Sequence, residues 1–221
     1  MPLQRITFWF DVISPYAWLA FDRLPQALAG LSHVVDHRPV LFAGLLNHWG
    51  QKGPAELEPK RAWTFRHVAW LAQQQGTPTQ APAEHPFNPL PLLRLLVACG
   101  EADATGAVSN RRVAEAVFRH VWQGGGAAAT APDRLQALTD ALAPALAPDS
   151  AAVKQALRAN TEAAIAAGVF GVPSFQLDDG RLFWGQDALP MLAAALRGDP
   201  WFDGPAWAEA GAVRPGVVRR A

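Results

Sequence analysis

Ile6-Thr7-Phe8-Trp9-Phe10-Asp11-Val12-Ile13-Ser14-Pro15-Tyr16-Ala17-Trp18 is the stretch on which the reading of this chain turns. Residues 5–10 are aromatic and β-branched, the signature of a buried strand. Residues 15–29 put Tyr16, Leu19, Leu24 and Leu28 on one helical face. Ser14-Pro15 stands at the junction. Serine caps helices by accepting from a free backbone N–H, and proline suits the first helical position. A hydroxyl is therefore expected at the positive end of a helix dipole and at the C-terminal end of a strand, where anions such as thiolates are stabilised. Ser14 is either a helix cap alone or a group that stabilises a thiolate brought by a ligand.

Working outward, residues 33–40 read as a second strand, beside the first and parallel to it, giving a β-α-β opening. Helical periodicity then runs over Leu45–Trp49, Pro59–Gln75, Pro89–Gly100, Asn110–Gln123, Pro132–Leu142 and Ser150–Gly168. Proline-rich joints, chiefly Thr77–Pro91, and Gly124-Gly125-Gly126 break the run. Strands return at Ser174–Leu177 and Leu182–Trp184, with Asp178-Asp179-Gly180 as the hairpin turn. A last helix covers Asp187–Leu196. The expected division is residues 1–44 with 169–198 as one discontinuous domain, 45–168 as a helical insert with its connecting helix, and 199–221 as a tail packing through Trp201, Phe202 and Trp207.

The composition limits the chemistry. The chain has 221 residues, half of them hydrophobic, and can bury a sizeable core. Its formal net charge is zero, so no strong field draws it to nucleic acid or an anionic membrane. No apolar run reaches the roughly 20 residues of a spanning helix, and no signal peptide is evident. One cysteine excludes an intrachain disulfide. These features together imply a cytoplasmic setting. Nine Trp and eleven Phe are enough to build an aromatic pocket as well as a core.

Two further motifs carry chemistry. Gly168-Val169-Phe170-Gly171-Val172-Pro173-Ser174-Phe175 runs from a helix end into a strand led by proline. Pro173 is a candidate cis residue that would leave the N–H and C=O of Val172 free for a ligand's peptide backbone; otherwise it is an ordinary edge-strand proline. Phe183-Trp184-Gly185-Gln186-Asp187 forms a strand-to-helix turn. Gly185 permits close backbone approach. Asp187 can hold a ligand ammonium and Gln186 a carboxylate, unless Asp187 is only the cap of the last helix.

With these motifs in this order and spacing, the chain resembles the 2-hydroxychromene-2-carboxylate isomerases and the kappa-class glutathione transferases, in the wider thioredoxin-like group that includes the oxidase DsbA. The resemblance covers Arg5 to about Arg197. It implies an α/β fold, a thioredoxin-like βαβ…ββα domain carrying a large inserted all-helical domain, with glutathione bound between them and a homodimer. It also implies roles. Ser14 matches the serine that bonds the glutathione sulfur. Val172 matches the residue that pairs with the cysteinyl backbone, and Trp184, Gly185, Gln186 and Asp187 match the turn that holds the γ-glutamyl end. In the insert, Gly50-Gln51-Lys52-Gly53-Pro54 carries Gln51 where relatives have Asn. Lys60 and Arg61 occupy the place of basic residues that face the glycyl carboxylate or the substrate. His85 and Asn88, in a Pro-flanked stretch, match one lining the electrophile pocket, with Asn47-His48-Trp49 as a facing wall. His67 and His120 read as structural, Cys99 as inert, and no metal site is expected.

The function expected from this resemblance is a glutathione-dependent cis-trans isomerase of 2-hydroxychromene-2-carboxylate-like aromatic keto acids. Ser14 is its catalytic residue, and Asn47, Arg61, His85 and Asn88 meet the substrate. The alternatives are a kappa-like transferase or peroxidase on small electrophiles, and a non-catalytic thioredoxin-like binding module. No nucleic-acid or membrane partner is expected.

Overall fold

A computed structural model describes residues 3–214 and Gly216; the end of the expected tail, Pro215 and residues 217–221, lies outside them. Strand β1 (Gln4–Phe10), helix α1 (Pro15–Ala27) and strand β2 (His33–Pro39) form the opening unit, with β1 and β2 parallel. Strands β5 (Ser174–Leu177) and β6 (Leu182–Trp184) return at the far end of the chain. β5 pairs antiparallel with β1, giving the sheet order β2-β1-β5-β6. Helix α8 (Leu189–Leu196) follows, after one tight helical turn at Gln186–Ala188. The helix expected from Asp187 therefore begins two residues later.

Between the halves lie α2 (Phe42–His48), α3 (Glu58–Gln75), α4 (Leu90–Ala98), α5 (Arg111–Trp122), α6 (Pro132–Leu142) and α7 (Ala151–Ala166). The insert is not helical throughout. Residues 101–103 (β3) and 106–108 (β4) form a short hairpin. Its support is tertiary. The wholly buried Asn160 of α7 accepts from the Ala107 N–H at 2.9 Å and donates to the carbonyls of Ala107 and Pro39 at 2.8 and 3.0 Å. Gly106, at φ +140°, lies so close to Asn160 that a Cβ there would sit 2.1 Å from Oδ1.

Alternation along β1 sorts the two faces of the sheet. Ile6, Phe8 and Phe10 enter a core shared with α1, α4, α5 and α8, whereas Trp9 packs on the other face with Val40, Leu45 and Ala164. The larger core is aromatic at its centre. Phe8 stacks on Phe10 and Phe175 at 5.1 and 5.0 Å, and Phe118 of the insert meets Phe10 and Phe21 at 5.2 and 5.0 Å. Fully burying one such ring contributes roughly 1.5–3 kcal/mol. Sheet and insert thus share one contiguous core, which fixes the walls of anything lying between them. The tail adds helix α9 (Pro205–Gly211). Phe202 is buried and Trp207 packs beside it on Phe183, while Trp201 stays partly exposed. Among the described residues, no helix is long and apolar enough to cross a membrane.

Candidate active site

The turn Asp11–Ser14, which leaves β1, is held by a set of hydrogen bonds. Ser14 N–H donates to the Asp11 carbonyl at 3.1 Å. The Val12 carbonyl accepts from Trp122 Nε1 at 2.9 Å, and the Ile13 carbonyl accepts from His85 Nε2 at the same distance. The Asp11 carboxylate accepts from Ile13 N–H with one oxygen and from Phe42 N–H, at the start of α2, with the other. Asp11 is completely buried, and burial holds its carboxyl up at about 7 against the backbone donors that would lower it. A turn anchored by Trp122, His85 and Phe42 from three sides holds Ser14 in place.

Ser14 caps α1 as the Ser-Pro pair predicts, its Oγ accepting from Ala17 N–H at 3.2 Å. The same hydroxyl donates to the Val172 carbonyl at 3.3 Å. That bond joins the two motifs that sequence reading placed 158 residues apart. The Val172–Pro173 peptide is cis, as is His85–Pro86. The Val172 carbonyl is not free, because Ser14 uses it, though a carbonyl has a second lone pair. Its N–H forms no hydrogen bond among the described residues.

Ser14 and Val172 line a cleft of about 1010 Å³ between the sheet and the insert. Gln51, Lys60, Arg61, His85 and Trp184 line it too. Both basic residues therefore reach the cleft. Arg61 leans inward: burial lowers the His85 pKa and the Arg61 charge adds to that, and Nη1 lies 3.5 Å from the Ala55 carbonyl. Lys60 forms no ion pair among the described residues. Much of the remaining wall is apolar, including Phe42, Leu46, Trp63, Phe65, Phe87 and Phe170.

Other expected site residues sit differently. Asn47 is exposed and outside the cleft lining. Helix α2 begins at Phe42, and its phase turns Phe42, Ala43 and Leu46 inward instead of Asn47-His48-Trp49. Trp49 instead donates from Nε1 to the Val169 carbonyl at 2.9 Å. Asn88 is also exposed and outside the lining; its Oδ1 accepts from Leu90 N–H and shapes the start of α4. His85 lines the cleft but is not a donor to it. Because a carbonyl only accepts, His85 Nε2 carries the hydrogen, and burial, the largest influence on its pKa, lowers it and so favours the neutral ring. Its Nδ1 is buried without a partner. It braces the Ser14 turn.

The turn after β6 borders the cleft through Trp184, whose ring tilts against Phe170 at 4.9 Å. A Cβ at Gly171 would lie 2.6 Å from Trp184 Nε1, so only glycine lets that indole lie down. Gly185 has φ +98° and donates its N–H to the Pro173 carbonyl at 2.9 Å. Gln186 Oε1 accepts from Gln75 Nε2 at 3.0 Å, tying the turn to the end of α3. Asp187 is exposed and caps no helix; burial raises the pKa of Tyr16, and the Asp187 charge adds to it. None of these three lines the main cleft; they sit behind Trp184 at its edge.

Sequence reading gave no role to Asp11 or Tyr16. Tyr16 lines the cleft and its hydroxyl shares a hydrogen bond of 2.9 Å with His67 Nδ1. Its place two residues after Ser14 was the available signal. His120 bonds the Ala129 carbonyl, and Cys99 is half-buried with its thiol pKa pushed up by burial.

Known proteins with this architecture carry informative names. The chain is 29% identical over 213 residues to glutathione S-transferase kappa 2 of Caenorhabditis elegans, covering 89% of this chain and 93% of that one. It is 29% identical over 203 residues to the 2-hydroxychromene-2-carboxylate isomerase of Pseudomonas putida, with 86% and 93% covered. A solved 2-hydroxychromene-2-carboxylate isomerase superposes with a TM-score of 0.74 at 24% identity, over 91% of this chain and 98% of that one. These are the groups that the sequence motifs resemble. With the Ser14 turn, the cis proline facing it and a family model that matches residues 5–197, the chain belongs to the DSBA-like thioredoxin domain family.

Proposed function

We propose that this protein is a glutathione-dependent isomerase acting on aromatic keto acids of the 2-hydroxychromene-2-carboxylate type. The observation that carries the reading is the Ser14 hydroxyl, at the N-terminus of α1 and bonded to Val172, where family relatives with redox activity place a cysteine. No thiol of this chain reaches the cleft, so a thiol must arrive with a ligand. The residues present fit glutathione. The Val172 N–H is available to a peptide carbonyl, Gln51 and Lys52, which line the cleft, suit its glycyl carboxylate, and the turn that runs from Trp184 at the cleft edge through Gly185, Gln186 and Asp187 suits its γ-glutamyl end. The cleft volume exceeds the lower end of ligand pockets, about 300 Å³, severalfold, leaving room for a second molecule.

Glutathione, when bound, supplies a thiolate that adds reversibly to a conjugated carbon–carbon double bond, making it a single bond that can rotate. Ser14 holds that ionised form by turning its hydroxyl proton from Val172 to the sulfur, assisted by the dipole of α1. Arg61 and Lys60 offset the negative charge that develops on the substrate's carboxylate and carbonyl oxygens. The apolar wall excludes water and orients the ring. Asn47, Asn88 and His85 leave the substrate set, because two lie outside the lining and one is committed to Ile13. We further place the protein in the cytoplasm as a homodimer.

Incubating the enzyme with hydroxychromene carboxylate and glutathione tests the proposal. A trans benzylidenepyruvate product with all glutathione recovered supports it. A product that keeps the thiol attached favours a transferase instead, the reading supported by the kappa-class relative. No turnover and no glutathione binding would leave a non-catalytic module.

A further inference from the structure

Trp63 is 65% exposed, the most open of the large aromatic side chains, yet it lines the cleft. A single exposed apolar side chain needs no explanation. This one is held in place. The ring lies within 14° of parallel to His67, one helical turn on, with centroids 6.2 Å apart. The Tyr16 hydroxyl in turn holds His67 at 2.9 Å. Tyr16 belongs to the helix that Ser14 caps, so that bond fixes the imidazole on which the indole stacks. Lys60, Trp63, Thr64 and His67 occupy one face of α3 by the i, i+3, i+4, i+7 rule, and the first three line the cleft. Lys60 therefore places a cation one turn from the indole, with no ion-pair partner among the described residues.

We infer that Trp63 is a specificity-determining residue: an immobilised platform on which the ring of a planar aromatic carboxylate stacks while Lys60 meets the carboxylate. The inference rests on reading the cleft as the place where the electrophile binds. A flat π-face beside a cation selects aromatic acids over aliphatic acids of similar length, because offset stacking adds to the area buried. A braced ring also loses little freedom on binding.

The test measures binding without turnover. Cinnamate and trans-2-hexenoate are titrated calorimetrically into the intact protein, the W63A variant and the W63F variant. Glutathione is titrated separately as a control. Trp63 is largely exposed, so neither variant should disturb folding. The expected result is cinnamate binding about tenfold weaker in W63A and within about threefold of the parent in W63F, with hexenoate and glutathione unchanged. Equal cinnamate affinity in W63A and the parent would overturn the inference, as would an equal loss for hexenoate or no cinnamate binding to the parent. A changed association state in W63A, seen by sedimentation, would make Trp63 an interface residue and also overturn it. Failure of glutathione alone to bind would sink the thiol reading and leave the cinnamate comparison standing.

Discussion

Replacing Asp11 by Asn should change how stability depends on pH more than it changes stability at any one pH. Asp11 is wholly buried, and only backbone N–H groups, those of Ile13, Phe42 and Val12, offset the cost of its charge. Burial lifts its pKa from 3.8 to about 7. The folded state then binds a proton more tightly than the unfolded chain between those values. The stability this group contributes is greatest in acid and is lost as pH rises through about 7. Each pKa unit is worth about 1.4 kcal/mol, so raising the pH from about 5 to about 9 should cost on the order of 3 kcal/mol through Asp11 alone. Asparagine does not titrate, and it keeps one acceptor oxygen for the two N–H donors. Urea unfolding of parent and D11N, followed by tryptophan fluorescence across that range, should give a difference that shifts in favour of D11N as pH rises. His37 titrates with the opposite sense. Burial lowers its pKa to about 4, so its contribution is lost as pH falls below 6.5. It is present in both proteins and cancels in the difference. A constant offset between the two curves would show that Asp11 has the same pKa folded and unfolded, and the reasoning would fail.

Ser14→Ala removes a helix cap and the proposed donor to sulfur together. The cap is worth about 1 kcal/mol of stability. A charge-assisted hydrogen bond is worth about 1.5–3 kcal/mol, so the bound glutathione pKa should rise by at least about one unit, read from thiolate absorbance. Ser14→Thr should restore much of that shift, and an unshifted pKa in S14A would remove Ser14 from the chemistry. Asn160→Leu strips the Ala107 N–H and the Ala107 and Pro39 carbonyls of a partner. Leaving such buried groups unpaired should cost about 2–4 kcal/mol and speed amide exchange in residues 101–108 selectively; uniform exchange would contradict the proposed anchor.

Much of this molecule was legible in the chain because its signals are local. Ser14-Pro15 marks a helix start whatever surrounds it, and the aromatic and β-branched residues of 5–10 favour a strand by their shape. The spacing of Ser14, Pro173 and Trp184 identified the family, since three motifs in fixed order rarely coincide by chance. Helix phase was less readable. The helix expected over Leu45–Trp49 begins three residues earlier, at Phe42; successive helical residues point about 100° apart, so with Leu46 at the cleft Asn47 turns away. Asn88 and His85 sit otherwise than expected for a different reason. Both found backbone partners, and sequence does not say which polar groups the fold will leave unpaired. The hairpin at 101–108 was invisible because Asn160, half a domain away, supplies its support.

The order of residues by itself determined the strand, the capped helix, the returning hairpin and the hydroxyl in the place of sulfur, because backbone propensity and capping act over a few residues. Only the tertiary structure decided that Val172 meets Ser14, that Asp11 is buried with only backbone N–H partners among the described residues, and that Tyr16 of α1 meets His67 of α3. Those facts depend on which distant segments exclude water from one another.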